Sequence, residues 1–198
     1  LHYLPCAGQT GQEQGQIDRT ALIHQAGMAI TTYFNPMICR SLPDFTDLVT
    51  DGAITMNREG AAYPYRYLGY QVGQFDFTSE IGRSAYGDRL NEAVSHGYDG
   101  WMEDFGEYAP PDAVYADGSH GMVEHNPYVR QYHCAAWEKT KSHPRPLLRF
   151  VRSGFTGSAA CSPVVWGGDP STTWDFDGLL SSVRNGISMG LSGVGIWG

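Results

Sequence analysis

Gly100-Trp101-Met102-Glu103-Asp104-Phe105-Gly106-Glu107-Tyr108-Ala109-Pro110-Pro111-Asp112 is an apolar run that closes on carboxylates at Asp104 and Glu107, then breaks at two prolines. The pattern predicts a buried strand that brings an acid to the rim of a sheet, followed by a loop. Val164-Val165-Trp166-Gly167-Gly168-Asp169-Pro170 repeats it downstream, again with an aspartate just past a tryptophan. Two aspartates on two strand ends are the minimum that a carboxylate-pair hydrolase needs.

Outward from that stretch, helices and strands alternate. Asp18 is placed to cap a helix from about Arg19 to Ala26, with Leu22, Ile23 and Ala26 inward. Met28 to Pro36 is a β-branched and aromatic strand stopped by proline. Residues 37–72 read as an excursion on the ligand side, with a short helix within Ser41 to Gly52 and an edge strand at Tyr63 to Tyr67; a surface subdomain with its own small core fits the same residues. Gln74 to Phe77 is a short strand. Ser79 then caps a helix to about His96 that buries Ile81, Tyr86, Leu90 and Val94. Asn126 and Pro127 signal the start of another, reaching about Thr140. Pro146 to Ser153 and Ser162 to Trp166 are strands, Thr173 to Leu191 a helix, and Gly193 to Trp197 a last strand.

Strands separated by helices imply parallel pairing, with chemistry at the carboxyl ends of the strands. No glycine-rich phosphate turn of the doubly wound type is present, so the pattern favours a partial (β/α)8 barrel over residues 1–198. The chain starts without methionine and stops on an apolar segment, which gives the expectation of an internal piece of a longer protein.

Composition narrows the function. A net charge of −8 excludes a phosphate backbone as the natural partner and offers no polybasic membrane contact. No apolar run approaches the roughly 20 residues of a membrane span, and no leader-like opening is seen, which favours the cytoplasm. Cys6, Cys39, Cys134 and Cys161 are widely spaced and are expected as reduced thiols; they and the seven histidines show no metal-ligand spacing, so no metal and no cofactor is implied. Aromatic residues, 13% of the chain, fit a surface that stacks on sugar faces and equally an aromatic core.

Asp104 and Asp169 are the candidate catalytic pair. Carboxyls about 5–5.5 Å apart can run a retaining glycoside hydrolysis, one as nucleophile and one as acid/base. Strand-end aspartates also cap helices and loops. Arg152, at the end of the intervening strand, is a candidate cation or hydroxyl donor. Glu107 is placed to orient the nucleophile or bind a hydroxyl, or is a solvated loop charge; Glu103 reads as structural or surface. His125 reads as a helix-entry residue, Trp137 and Trp174 as packing, and Asp175 and Asp177 as a helix start.

Asp99 to Tyr108, His125 to Tyr128, Val151 to Gly157 and Trp166 to Asp169 together resemble glycoside hydrolase family 31, in its branch of α-glucosidase-like enzymes and sulfoquinovosidases. The resemblance runs from about Ala29 to the end. It implies Asp104 as nucleophile, Asp169 as acid/base, Arg152 as a glycon-binding residue and Glu107 as its support, with Trp101, Trp166 and Phe155 lining the substrate. It also implies that the chain covers roughly strands three to seven of the barrel, acts on an α-linked carbohydrate without a cofactor, and is inactive and poorly folded alone. The arginine–tryptophan pair of the sulfoquinovosidase subgroup is not found in Leu1 to Met28, which favours a neutral α-glycoside. A sulfoquinovosidase and a sugar-binding, non-catalytic barrel are the alternatives.

Overall fold

The computed structural model describes residues 13–162 and 164–198. Residues 1–12 of the segment Leu1 to Gly15, whose glycines and glutamines predict a loop, lie outside them. A parallel arc is the frame. β1 (Thr32–Phe34), β5 (Gly100–Glu103) and β6 (Leu148–Val151) pair side by side in that order. Single parallel bridges at Val165 and then Trp197 carry the arc on from Val151. The two expected strands at that end are thus reduced to one paired residue each. Among the described residues the arc does not close, so the architecture is an α/β segment of a barrel.

Helices α1 (Glu13–Gln25), α3 (Glu80–Ser95), α4 (Gly121–Thr140) and α5 (Ser181–Leu191) alternate with these strands. Ser79 caps α3 as expected, its hydroxyl accepting from the Gly82 amide at 3.3 Å. Tyr86 and Leu90 are buried, whereas Ile81 is exposed. Helix α1 starts earlier than expected, and Asp18 lies inside it, accepting from the Gln14 amide group at 2.8 Å. Its inner face is polar: Thr20 Oγ1 donates to the His96 carbonyl at 2.5 Å, while Leu22 is exposed. Helix α4 begins at Gly121, so Pro127 stands within it rather than at its first turn. The expected last helix is split, a π-helical turn (Phe176–Leu180) preceding α5 because Asp177 and Gly178 leave helical geometry.

Side-chain alternation along β5 sorts the arc into two faces. Trp101 and Glu103 are fully buried, together with Phe34, Arg149 and Val151 on the flanking strands. Phe34, Phe77, Tyr86, Trp101, Tyr128 and Tyr132 form the centre of the core, with Phe34 edge-on to Trp101 at 5.6 Å and Phe77 to Tyr86 at 5.3 Å. Such pairs add about 0.5–1.5 kcal/mol each beyond area burial. The opposite face carries the half-buried row Tyr33, Met102 and Phe150, which the registers place side by side. The strands approach closely where β5 starts. A Cβ on Gly100 would lie 1.8 Å from the Leu148 carbonyl oxygen, and its φ is 150°, so only glycine fits.

The excursion is a small antiparallel sheet, β2 (Met37–Cys39), β4 (Tyr70–Gln74) and β3 (Tyr65–Tyr67), with α2 (Phe45–Thr50) packed on it. β3 is an edge strand of it, as the sequence predicts. The thiol expectation is corrected: Cys134 and Cys161 form a disulfide tying α4 to the segment after β6, and Cys39 is also disulfide-bonded. Spacing alone could not reveal the pair, because a helix and a loop bring the two residues together.

Candidate active site

Two residues beyond the half-buried row, β5 and β6 are followed by charge. The Asp104 amide donates to the Phe34 carbonyl at 2.8 Å and the Arg152 amide to the Glu103 carbonyl at 3.2 Å, so ladder bonds fix both backbones. Asp104 is only 7% exposed. Three donors converge on its carboxylate. Arg152 Nε lies 3.1 Å from Oδ1, the Phe105 amide donates to Oδ1 at 3.0 Å, and the Tyr33 hydroxyl donates to Oδ2. Burial, then the bond and charge of Asp104, push the Tyr33 hydroxyl pKa far above its ordinary value, so Tyr33 stays a donor.

Arg152 bridges the two acids, its other arm donating to Glu107 Oε1. Partial burial opposes its charge, but the bond to Glu107 and the charges of Asp104 and Glu107 prevail and hold the guanidinium pKa above its ordinary value. Glu107 Oε2 is buried without a hydrogen-bond partner among the described residues, an acceptor left over for a hydroxyl.

Between the acids, Phe105 is left-handed at φ 61° and Gly106 follows at φ 107°. A non-glycine residue there costs about 1–2 kcal/mol. Arg152 stacks over the Phe105 ring at 3.9 Å, Tyr67 of the excursion meets it edge-on at 5.1 Å, and Ser153 Oγ donates to its carbonyl at 2.5 Å. These contacts hold the turn and join the excursion to it through Tyr67.

The other expected residues fall into two groups. Arg152, Phe155 and Trp166 line a cavity of about 780 Å³ that runs past Gly168 towards Asn185 and Ser188 on α5. Asp104, Glu107, Trp101 and Asp169 are not part of its wall. Asp169 is exposed in the loop after the Val165 bridge and makes no hydrogen bond or ion pair among the described residues. Trp101 does not reach the substrate side: it is fully buried, its indole N–H on Glu103 Oε1 at 3.0 Å. It stands two residues from Glu103 and three from Asp104, so alternation turns it to the helix layer. Tyr33 was not singled out by sequence reasoning; its place opposite Met102 in the parallel register is the signal that finds it.

The parallel arc thus carries a buried aspartate, an arginine and a glutamate just past the carboxyl ends of its strands. A family model described as the glycosyl hydrolases family 31 TIM-barrel domain matches residues 12–198, and the chain belongs to that family. The sulfoquinovosidase of Agrobacterium fabrum is 28% identical over 180 residues, spanning 88% of this chain and 27% of that protein. The 1,3-alpha-isomaltosidase of Kribbella flavida is 32% identical over 158 residues, 78% of this chain and 21% of that protein. A solved family 31 sulfoquinovosidase from E. rectale, in complex with the aza-sugar inhibitor IFGSQ, matches with a TM-score of 0.84 at 26% identity, over 91% of this chain and 28% of that one. The chain thus spans about a quarter of the length of the relatives it matches.

Proposed function

We propose that the chain supplies the acid-bearing strand ends of a retaining, exo-acting α-glycoside hydrolase, acting within a complete barrel. The observation that carries this is the Asp104 carboxylate, nearly buried and held by Arg152, Tyr33 and the Phe105 amide. Those donors hold its orientation, as a nucleophile at an anomeric carbon requires. Asp104 attacks that carbon while Asp169 protonates the leaving oxygen; Asp169 then takes a proton from the water that releases the sugar. Exposure of Asp169 leaves room for the leaving group, and then the attacking water, to reach it. Arg152 and the free Glu107 oxygen offer hydrogen bonds to glycon hydroxyls. The chemistry needs no cofactor. The Cys134–Cys161 disulfide fits an oxidising compartment better than the cytoplasm.

The glycon has two readings. A neutral α-glycoside is the reading that the sequence favours, because Leu1 to Met28 carry no arginine–tryptophan pair. A sulfonated sugar is favoured by the sulfoquinovosidases among the relatives and solved structures. Aryl α-glucoside, α-xyloside and α-sulfoquinovoside substrates, offered to the complete enzyme, separate them by kcat/KM. Proton NMR of the first sugar released from the preferred substrate tests the mechanism. Release of the α anomer agrees with double displacement; release of the β anomer overturns it.

A further inference from the structure

Behind the nucleophile lies a buried group that the proposed chemistry does not use. His133, on α4, is completely buried. Its Nδ1 meets Glu103 Oε2 at 2.7 Å, and its Nε2 lies 3.1 Å from the Ser153 carbonyl and 3.2 Å from Ser153 Oγ. Ser153 Oγ gives its own proton to the Phe105 carbonyl, so it faces the imidazole as an acceptor. Glu103 takes a bidentate grip from Arg149, Nε to Oε1 at 2.5 Å and Nη2 to Oε2 at 2.9 Å. Arg149 Nη2 also donates to the His133 carbonyl at 2.9 Å, pinning the helix that carries the ring. One turn of α4 adds a further hold, since the neighbouring Tyr132 hydroxyl donates to the Asp104 carbonyl at 3.3 Å.

The placement is specific. Glu103 precedes Asp104, Phe105 follows it, and Ser153 follows Arg152. One imidazole therefore grips, directly or through one hydroxyl, both neighbours of the nucleophile and the neighbour of its arginine. We propose that His133 is a positioning residue that sets the Asp104 carboxylate against Arg152 and the reacting carbon. The role rests on the assignment of Asp104 as nucleophile. A reacting atom displaced by about 1 Å costs on the order of a hundredfold in rate. Loosening both flanks of Asp104 should therefore act on kcat rather than on glycon binding.

The test is His133→Asn in the complete enzyme, beside wild type, with an aryl α-glycoside of the preferred glycon. Active sites are counted by labelling with the ring-fluorinated glycosyl fluoride of the same sugar, which separates misfolded protein from slow protein. The expected result is a fall of at least about tenfold in kcat per labelled site, with KM changed less than about threefold. Ser153→Ala, which removes only the relaying hydroxyl, should lower kcat per site by a smaller factor. The double variant should be no slower than His133→Asn alone, because the two act along one path. Unchanged kcat per site in His133→Asn, or in Ser153→Ala if the first does not fold, overturns the role of His133. A wild-type label on a residue other than Asp104 overturns the nucleophile assignment itself, and the two failures are thereby told apart.

Discussion

Asp104 and Asp169 follow two strands of one parallel arc, yet their surroundings are opposite. Asp104 follows a strand paired on both sides, is nearly buried, and receives an arginine, a tyrosine and a backbone amide. Asp169 follows a single bridged residue and stands in solvent. A nucleophile must arrive at one carbon from one direction, so its carboxylate gains from rigid anchoring. An acid/base gives a proton to the leaving oxygen in one step and takes one from the attacking water in the next, so both must reach it in turn and access serves it. On the proposed function, the division of order follows the division of labour.

That contrast can be broken from either end. The largest effect should come from Asp104→Asn, which should lower kcat on every substrate by at least about a thousandfold; stopped assays with several aryl glycosides check it. Asp169→Asn should be selective. Substrates with poor leaving groups should slow by about 10²–10⁴-fold, whereas dinitrophenyl glycosides should keep most of their glycosylation rate. Equal losses on both kinds of substrate would remove Asp169 from its role.

The anchoring beneath Asp104 gives a stability test. Glu103 is wholly buried. Burial opposes its charge, but Arg149 and His133 more than compensate and hold its pKa below the ordinary glutamate range. A carboxyl depressed in the folded state stabilises at pH above its unfolded value, and that contribution is lost as the pH falls through its folded value. Glu103→Gln leaves Arg149 buried without its counter-charge and should cost about 3–5 kcal/mol near neutrality. It should also flatten the acid side of the stability curve in urea titrations. The smallest effect belongs to Tyr33→Phe, which removes one donor from Asp104 and should lower kcat about tenfold without changing the fold, as circular dichroism would show.

The alternation of helices and strands was legible in the sequence, because β-branched runs, a serine cap and proline breaks each act over a few residues. So was the position of Asp104 and Arg152 just past two strands, since a strand end alone places them. Trp101 was misplaced by proximity in sequence, where alternation along β5 sends it to the core beside Glu103. Tyr33 and His133 were not legible. Tyr33 meets Asp104 across 71 residues of sequence and His133 meets Glu103 across 30, so only the sheet register and the rotation of α4 bring them together. Pro127 was read as a first-turn residue because local signals favour that position, whereas packing of Tyr128, Tyr132 and His133 carries α4 through it.

The central claim is that Asp104 is the nucleophile. Its most direct test is to incubate the complete enzyme with the ring-fluorinated α-glycosyl fluoride of its preferred sugar, digest it, and locate the added mass by peptide sequencing. One glycosyl unit on Asp104, and its absence in Asp104→Asn, is the result predicted here. A glycosyl unit on any other carboxylate, or rapid turnover of the substrate with no covalent sugar detectable, would contradict the account.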